Sequence, residues 1–164
     1  MKRMNLGCGP NILQGFDNVD IERKNINVMF WDARNSSLGM EERYDFILIN
    51  HVLCTMNFLD VEAVLSNMYK ILKPGGKVQI IDMDMELAIY HFRRKEGDFL
   101  PASGDTIDEK FCNHVSGFGT RKSLYTEAHL INLLTRHGFK KAERLTKSDY
   151  DLRPNESLIV EATK

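Results

Sequence analysis

Two glycines separated by one residue stand at the exit of the first apolar run, Leu6-Gly7-Cys8-Gly9-Pro10-Asn11. Glycine there lets the backbone turn sharply and approach a ligand that a side chain would exclude. By itself the pair is equally the mark of a tight strand exit. The dinucleotide fingerprint fails, because its third small residue falls at Ile12. Asp20 closes a second run, Asn18-Val19-Asp20-Ile21. A carboxylate at such a strand tip can accept hydrogen bonds from both hydroxyls of a ribose, and its competing reading is a solvated strand-end acid. Asp32 follows a third run, Phe30-Trp31-Asp32-Ala33, where an acid could accept from the exocyclic amine of adenine or simply cap its own loop.

Other groups with chemical potential are fewer. Asp82-Met83-Asp84 sets two acids around one residue, which invites a divalent ion. Such ions normally gather more oxygen ligands, and Asp84 is well placed to cap a following helix, so no metal site is expected. Cys8, Cys54 and Cys112 form neither a zinc pattern nor a disulfide framework and suit a reducing compartment. Cys8 and Cys54 have no evident activating partner and are read as small packing residues. His91, His129 and His137 fall on expected helices and read as solvated. His114 lies in an irregular stretch with Arg121, beside Tyr90. A neutral imidazole there could take a proton near pH 7, against the plainer reading of a structural side chain.

These residues need a frame. Short apolar runs alternate with helix-period segments, the pattern of an α/β fold with a parallel sheet and helices on its faces. Strands are expected near 3–6, 18–21, 28–31, 45–50, 77–83, 140–145 and 158–162. A helix capped by Asp60 buries Val61, Val64, Leu65, Met68, Ile71 and Leu72, and Lys73-Pro74-Gly75-Gly76 turns the chain into the fifth strand. A second helix is expected over 85–96, and a third has Thr126 as N-cap and Gly138 as its stop. Between Asp98 and Ser123 the periodicity fails, and 98–123 reads as an insertion or lid near the carboxyl edge of the sheet. Residues 1–164 read as one domain.

Composition narrows the classes. Lys+Arg 22 against Asp+Glu 23 gives a formal charge of −1, without the cationic surplus of a general nucleic-acid binder. The longest apolar stretches, such as Phe46-Ile47-Leu48-Ile49, fall far below a bilayer span. The N-terminus carries no hydrophobic signal core, and a cytoplasmic location is expected. Tyr69 and Lys73 match the spacing of a dehydrogenase dyad, but they sit directly before Pro74-Gly75-Gly76 and the glycine fingerprint is wrong, so a nicotinamide enzyme is disfavoured.

Taken together, the Gly-x-Gly, the two strand-tip acids and Lys-Pro-Gly-Gly, in that order, resemble the class I S-adenosylmethionine-dependent methyltransferases. The likeness is closest to a compact group opening Leu-Gly-Cys-Gly…Gly-aromatic-x-Asn-Val-Asp, here Leu6-Gly7-Cys8-Gly9 and Gly15-Phe16-Asp17-Asn18-Val19-Asp20. It implies a Rossmann-like methyltransferase fold with a seven-stranded, mostly parallel sheet and a shortened first crossover. It also implies S-adenosylmethionine as cofactor, held by Leu6, Gly7, Cys8, Gly9, Asp20, Ile21, Asp32, Ala33, Asn50, His51 and Val52. The group's association with sugar modification implies a small-molecule or sugar-containing acceptor. His51 and His114 are the candidate bases. After His51-Val52-Leu53 the group usually has Glu-His, whereas this chain has Cys54-Thr55. A catalytically silent, cofactor-binding partner subunit is therefore the alternative. No proline precedes a cysteine, and no Asn/Asp-Pro-Pro-aromatic tetrad occurs, which disfavours two nucleobase-methylating classes.

Overall fold

The computed structural model describes residues 1–22, 26–36, 39–100 and 103–164. Seven strands form one sheet: β1 (Arg3–Leu6), β2 (Asp17–Asp20), β3 (Val28–Phe30), β4 (Tyr44–Asn50), β5 (Leu72–Met83), β6 (Lys140–Arg144) and β7 (Ser157–Thr163). Their order is β3-β2-β1-β4-β5-β7-β6. The first five run parallel, and β7 is antiparallel to both β5 and β6. The order reverses between β1 and β4, and in open α/β sheets ligands bind beside the carboxyl strand ends at that point. Register pairs Leu6 with Val19 and Ile49, and Asn50 with Ile81. Residues 7, 20, 51 and 82 consequently lie along one edge of the sheet.

Alternation along the strands separates two apolar layers. Met4, Leu6, Ile47, Ile49, Val78 and Ile80 pack with helix α1 (Phe58–Ile71) and helix α4 (Glu127–Arg136). On α1 the inward residues Val61, Val64, Leu65, Met68 and Ile71 repeat at helical spacing, and each buried aliphatic side chain contributes roughly 1.5–3 kcal/mol. Phe46, Leu48, Ile81 and Ile159 form the second layer, covered by Leu13, Phe16, Leu145 and Tyr150. Helical cover is thus uneven, because the β1–β2 connection contains no helix. Buried Asn5 and Asn18 hold that connection instead. Asn5 Nδ2 donates to Asn11 O (2.8 Å) and Asn18 Oδ1 (3.0 Å), while Asn18 Oδ1 also accepts from Leu13 N–H (2.9 Å).

Several local expectations are corrected. Asn57, not Asp60, caps α1, its side chain accepting from the Asp60 amide; the asparagine stands one turn earlier and leaves Asp60 inside the first turn. Lys73–Gly76 is bulged out of β5, between the pairings Tyr44↔Leu72 and Phe46↔Lys77. Helix α2 (Met85–Arg93) ends before Glu96. The 98–123 stretch holds a further helix, α3 (Ile107–Ser116), with a Thr106/Glu109 capping box. Phe111 on α3 stacks on Phe92 of α2, centroids 4.3 Å apart. Among the described residues no helix is long and apolar enough to cross a membrane.

Candidate active site

The glycine loop is held against the tip of β2. Gly7 and Cys8 both donate to Val19 O, at 2.8 and 3.1 Å. Gly7 has φ +65°, and a Cβ there would lie 2.4 Å from Val52 Cγ2, so both conformation and space require glycine. Asp20 ties the loop down: its Oδ2 accepts from Gly9 N–H at 2.8 Å and its Oδ1 from Glu22 N–H at 3.0 Å. Leu6, Gly7, Asp20 and Ile21 form one wall of a cavity of about 220 Å³.

The opposite wall comes from the exits of β3 and β4. Trp31 and Ala33 line it, their loop fixed by Asn67 Nδ2, which donates to Ala33 O (2.8 Å) and Asn35 O (2.7 Å). Trp31 Nε1 is buried without a hydrogen-bond partner. Asp32 does not border the cavity. Its carboxylate is clasped by Arg34, at 2.8 Å from Nε and 2.7 Å from Nη2, which holds it below the usual carboxylate range.

His51 closes the inner end with Val52, Thr55 and Met56. Its backbone is left-handed (φ +54°) and donates to Ile81 O at 2.8 Å. Nε2 is buried without a partner, and Nδ1 stands 3.9 Å from Asp82 Oδ1. Burial lowers the His51 pKa, opposed by the Asp82 charge. Burial likewise raises Asp82, although Cys54 and Met83 amides donate to it at 3.0 and 2.8 Å. Burial and the nearby Asp82 push the Cys54 thiol up. Asp84 faces elsewhere, capping α2 through Leu87 N–H and pairing with Arg144 at 2.6 Å.

Gly7 also borders a second, smaller cavity of about 40 Å³ with Cys8, Asn11, Asn50 and Tyr150. Asn50 Nδ2 donates to Tyr150 O at 2.7 Å, leaving Oδ1 buried and unpartnered. His114 lies outside both cavities. It is buried, borders a small void with Asp84, Leu87 and Glu156, and has its pKa lowered to about 4 by burial and by the Arg121 and Arg153 charges. The insertion does reach the site through its end: Lys122 and Ser123 amides donate to Cys54 O at 2.6 and 3.1 Å. Two of the histidines read as solvated are in fact paired, His91 with Glu96 and His137 with Glu62, each at 2.8 Å.

Of the residues expected from sequence, Leu6, Gly7, Asp20, Ile21, Ala33, His51 and Val52 surround the first cavity, and Gly7, Cys8 and Asn50 the second. Gly9 acts through its amide on Asp20. Trp31, Thr55, Met56 and Tyr150 were not anticipated. Trp31, Thr55 and Met56 adjoin motif residues, so adjacency was an available signal; Tyr150 arrives from a distant loop and left none.

A family profile described as a methyltransferase domain matches residues 6–143. The tRNA N(3)-cytidine methyltransferase METTL2 of Gallus gallus is 27% identical over 106 residues, covering 64% of this chain. The chain corresponds to only 26% of that relative's length. A SAM-dependent methyltransferase from Archaeoglobus fulgidus superposes with a TM-score of 0.64 at 16% identity, over 99% of this chain and 86% of that one. A Thermotoga maritima protein described as a possible histamine N-methyltransferase gives 0.63 at 19% identity, over 99% and 82%.

Proposed function

Because this chain belongs to the methyltransferase-domain family, we propose that it binds S-adenosylmethionine and transfers the methyl group to a small-molecule or sugar-containing acceptor. The carrying observation is that Gly7, Asp20, Ile21, Trp31, Ala33 and His51 surround one cavity at the point where the strand order reverses. The residues suit that cofactor: a glycine at the strand exit whose Cβ would collide with the lining residue Val52, a strand-tip carboxylate, and an indole on the lining. Asp20 would hold the ribose hydroxyls with its remaining lone pairs. Ile21, Trp31 and Ala33 would flank the adenine, and Asp32 would steady their loop through Arg34. Gly7, Cys8, Gly9, Asn50 and Val52 would receive the methionine portion.

S-adenosylmethionine supplies a sulfonium methyl whose displacement needs no protonation of the leaving thioether. The chain's task is alignment and exclusion of water. His51, neutral and at the inner end, is the basic group available to an acceptor that must lose a proton; His114 stands away from both cavities. The METTL2 likeness suggests a tRNA acceptor, but the net charge of −1 favours a smaller one. Titration calorimetry with S-adenosylmethionine and with NAD tests the cofactor, with micromolar binding of the former expected; NAD binding alone would overturn the reading. Transfer of labelled methyl to a panel of sugar nucleotides, small hydroxyl compounds and tRNA tests the acceptor. A bound cofactor with no transfer to any acceptor would favour the silent partner subunit.

A further inference from the structure

We propose that His51, Cys54 and Asp82 hold one divalent transition-metal ion of the zinc class, with a fourth coordination position left open. One donor atom from each of the three lies within 4.8 Å of the others. Zinc binds imidazole and carboxylate at about 2.0–2.2 Å and thiolate at about 2.3 Å. Donors around one tetrahedral ion therefore stand about 3.3–3.8 Å apart. His51 Nδ1 and Asp82 Oδ1, 3.9 Å apart, are too distant to share a hydrogen bond and close to that spacing.

The environment is that of an assembled site. Asp82 and Cys54 are buried at 1% and 4% exposure; a buried carboxylate calls for positive charge, and the Arg121 guanidinium approaches the group from the Cys54 side. The amides of Met83 and Cys54 orient the Asp82 oxygens at 2.8 and 3.0 Å while leaving lone pairs, the outer-shell support that metal ligands ordinarily receive. His51 brings a ring whose Nε2 has no hydrogen-bond partner. Sheet register supplies the convergence: Asn50 pairs with Ile81, so His51, just past β4, stands beside Asp82 of β5, and the 3₁₀ turn Leu53–Thr55 returns Cys54 toward them. A nitrogen, a sulfur and one carboxylate form a donor set suited to zinc rather than magnesium or calcium.

His51 also borders the larger cavity, which places the ion beside the acceptor's end. The inference deepens the reading above: an ion there would take over from the imidazole the removal of the acceptor's proton, which passes to solvent as a hydroxyl or thiol becomes the fourth ligand.

Cobalt(II) is the probe. Added to chelator-treated protein, it is expected to give at one equivalent a near-ultraviolet thiolate-to-cobalt band and visible d–d bands, both abolished by zinc. Cys54→Ser is expected to lose the near-ultraviolet band while keeping the native circular dichroism spectrum; Cys8→Ser and Cys112→Ser are expected to retain it. Absence of the band from folded wild-type protein would overturn the proposal and leave a thiol–carboxylate hydrogen bond only. So would an unchanged band in Cys54→Ser. Cofactor affinity measured on the metal-free protein distinguishes failure here from failure of the methyl-transfer reading.

Discussion

The Gly9 amide donates to Asp20 Oδ2 at 2.8 Å, so the acid assigned to the ribose also secures the glycine loop. Removing the side chain and removing only its charge therefore differ. Asp20→Ala is expected to weaken S-adenosylmethionine binding about 10- to 100-fold, the range of lost hydrogen bonds to a charged group. Asp20→Asn keeps a carbonyl for Gly9 and is expected to lose less. Calorimetry on both variants checks the order, and equal affinities in wild type and Asp20→Ala would remove the assignment.

Gly7 and Val52 are matched in shape. Gly7→Ala sets a methyl 2.4 Å from Val52 Cγ2 at a left-handed φ, and the expected outcome is loss of cofactor binding with a destabilisation of about 1–3 kcal/mol. Val52→Ala removes the two γ-carbons at 2.4 and 3.0 Å but keeps its Cβ at 3.3 Å, and does not relieve the backbone. The double variant is expected to recover part of the stability, read as a non-zero coupling energy in chemical denaturation.

Trp31 is the chain's single tryptophan, and its Nε1 is buried without a partner. Its fluorescence is expected to change on cofactor binding in a saturable titration. Trp31→Phe removes an unsatisfied donor that costs about 1–3 kcal/mol, against the smaller ring's lost packing. Cofactor affinity is expected to fall while the melting temperature changes little; an unaltered affinity would detach the indole from the site.

His114 is buried in neutral form, with a pKa lowered to about 4. The unfolded chain takes up the proton near pH 6.5. Between about pH 6.5 and 4 the unfolded state thus binds more protons, and stability falls as pH falls through that window. The full effect approaches roughly 3 kcal/mol. His114→Gln is expected to flatten that acid limb in denaturation profiles, whatever its effect at pH 8.

The strands were readable because their apolar runs are nearly continuous, as Phe46-Ile47-Leu48-Ile49 shows in β4. Gly7 and Asp20 were readable because a strand exit fixes where its next residue goes. Helix α3 escaped because its face is weakly apolar, with only His114 among its residues buried; its capping box, Thr106 with Glu109, was the missed signal. Asp32 was legible as a loop acid, but its clasp by Arg34 was not, since Arg34 two residues on could equally have faced away. The meeting of Cys54 with Asp82 depends on strand pairing across the sheet, and no spacing along the chain encodes it.

Asn5 and Asn18 also set a limit on how this protein can vary. In place of a packed cylinder of residues, a pair of carboxamides clamps the polypeptide that presents Gly7 and Gly9. Leucine at either position would match the volume yet remove the carboxamide that meets Asn11 O or Leu13 N–H. Drift in sequence is expected to be easier at Pro10 or Ile12 than at these two amides, which share with Val19 O and Asp20 the anchoring of the ligand-facing bend.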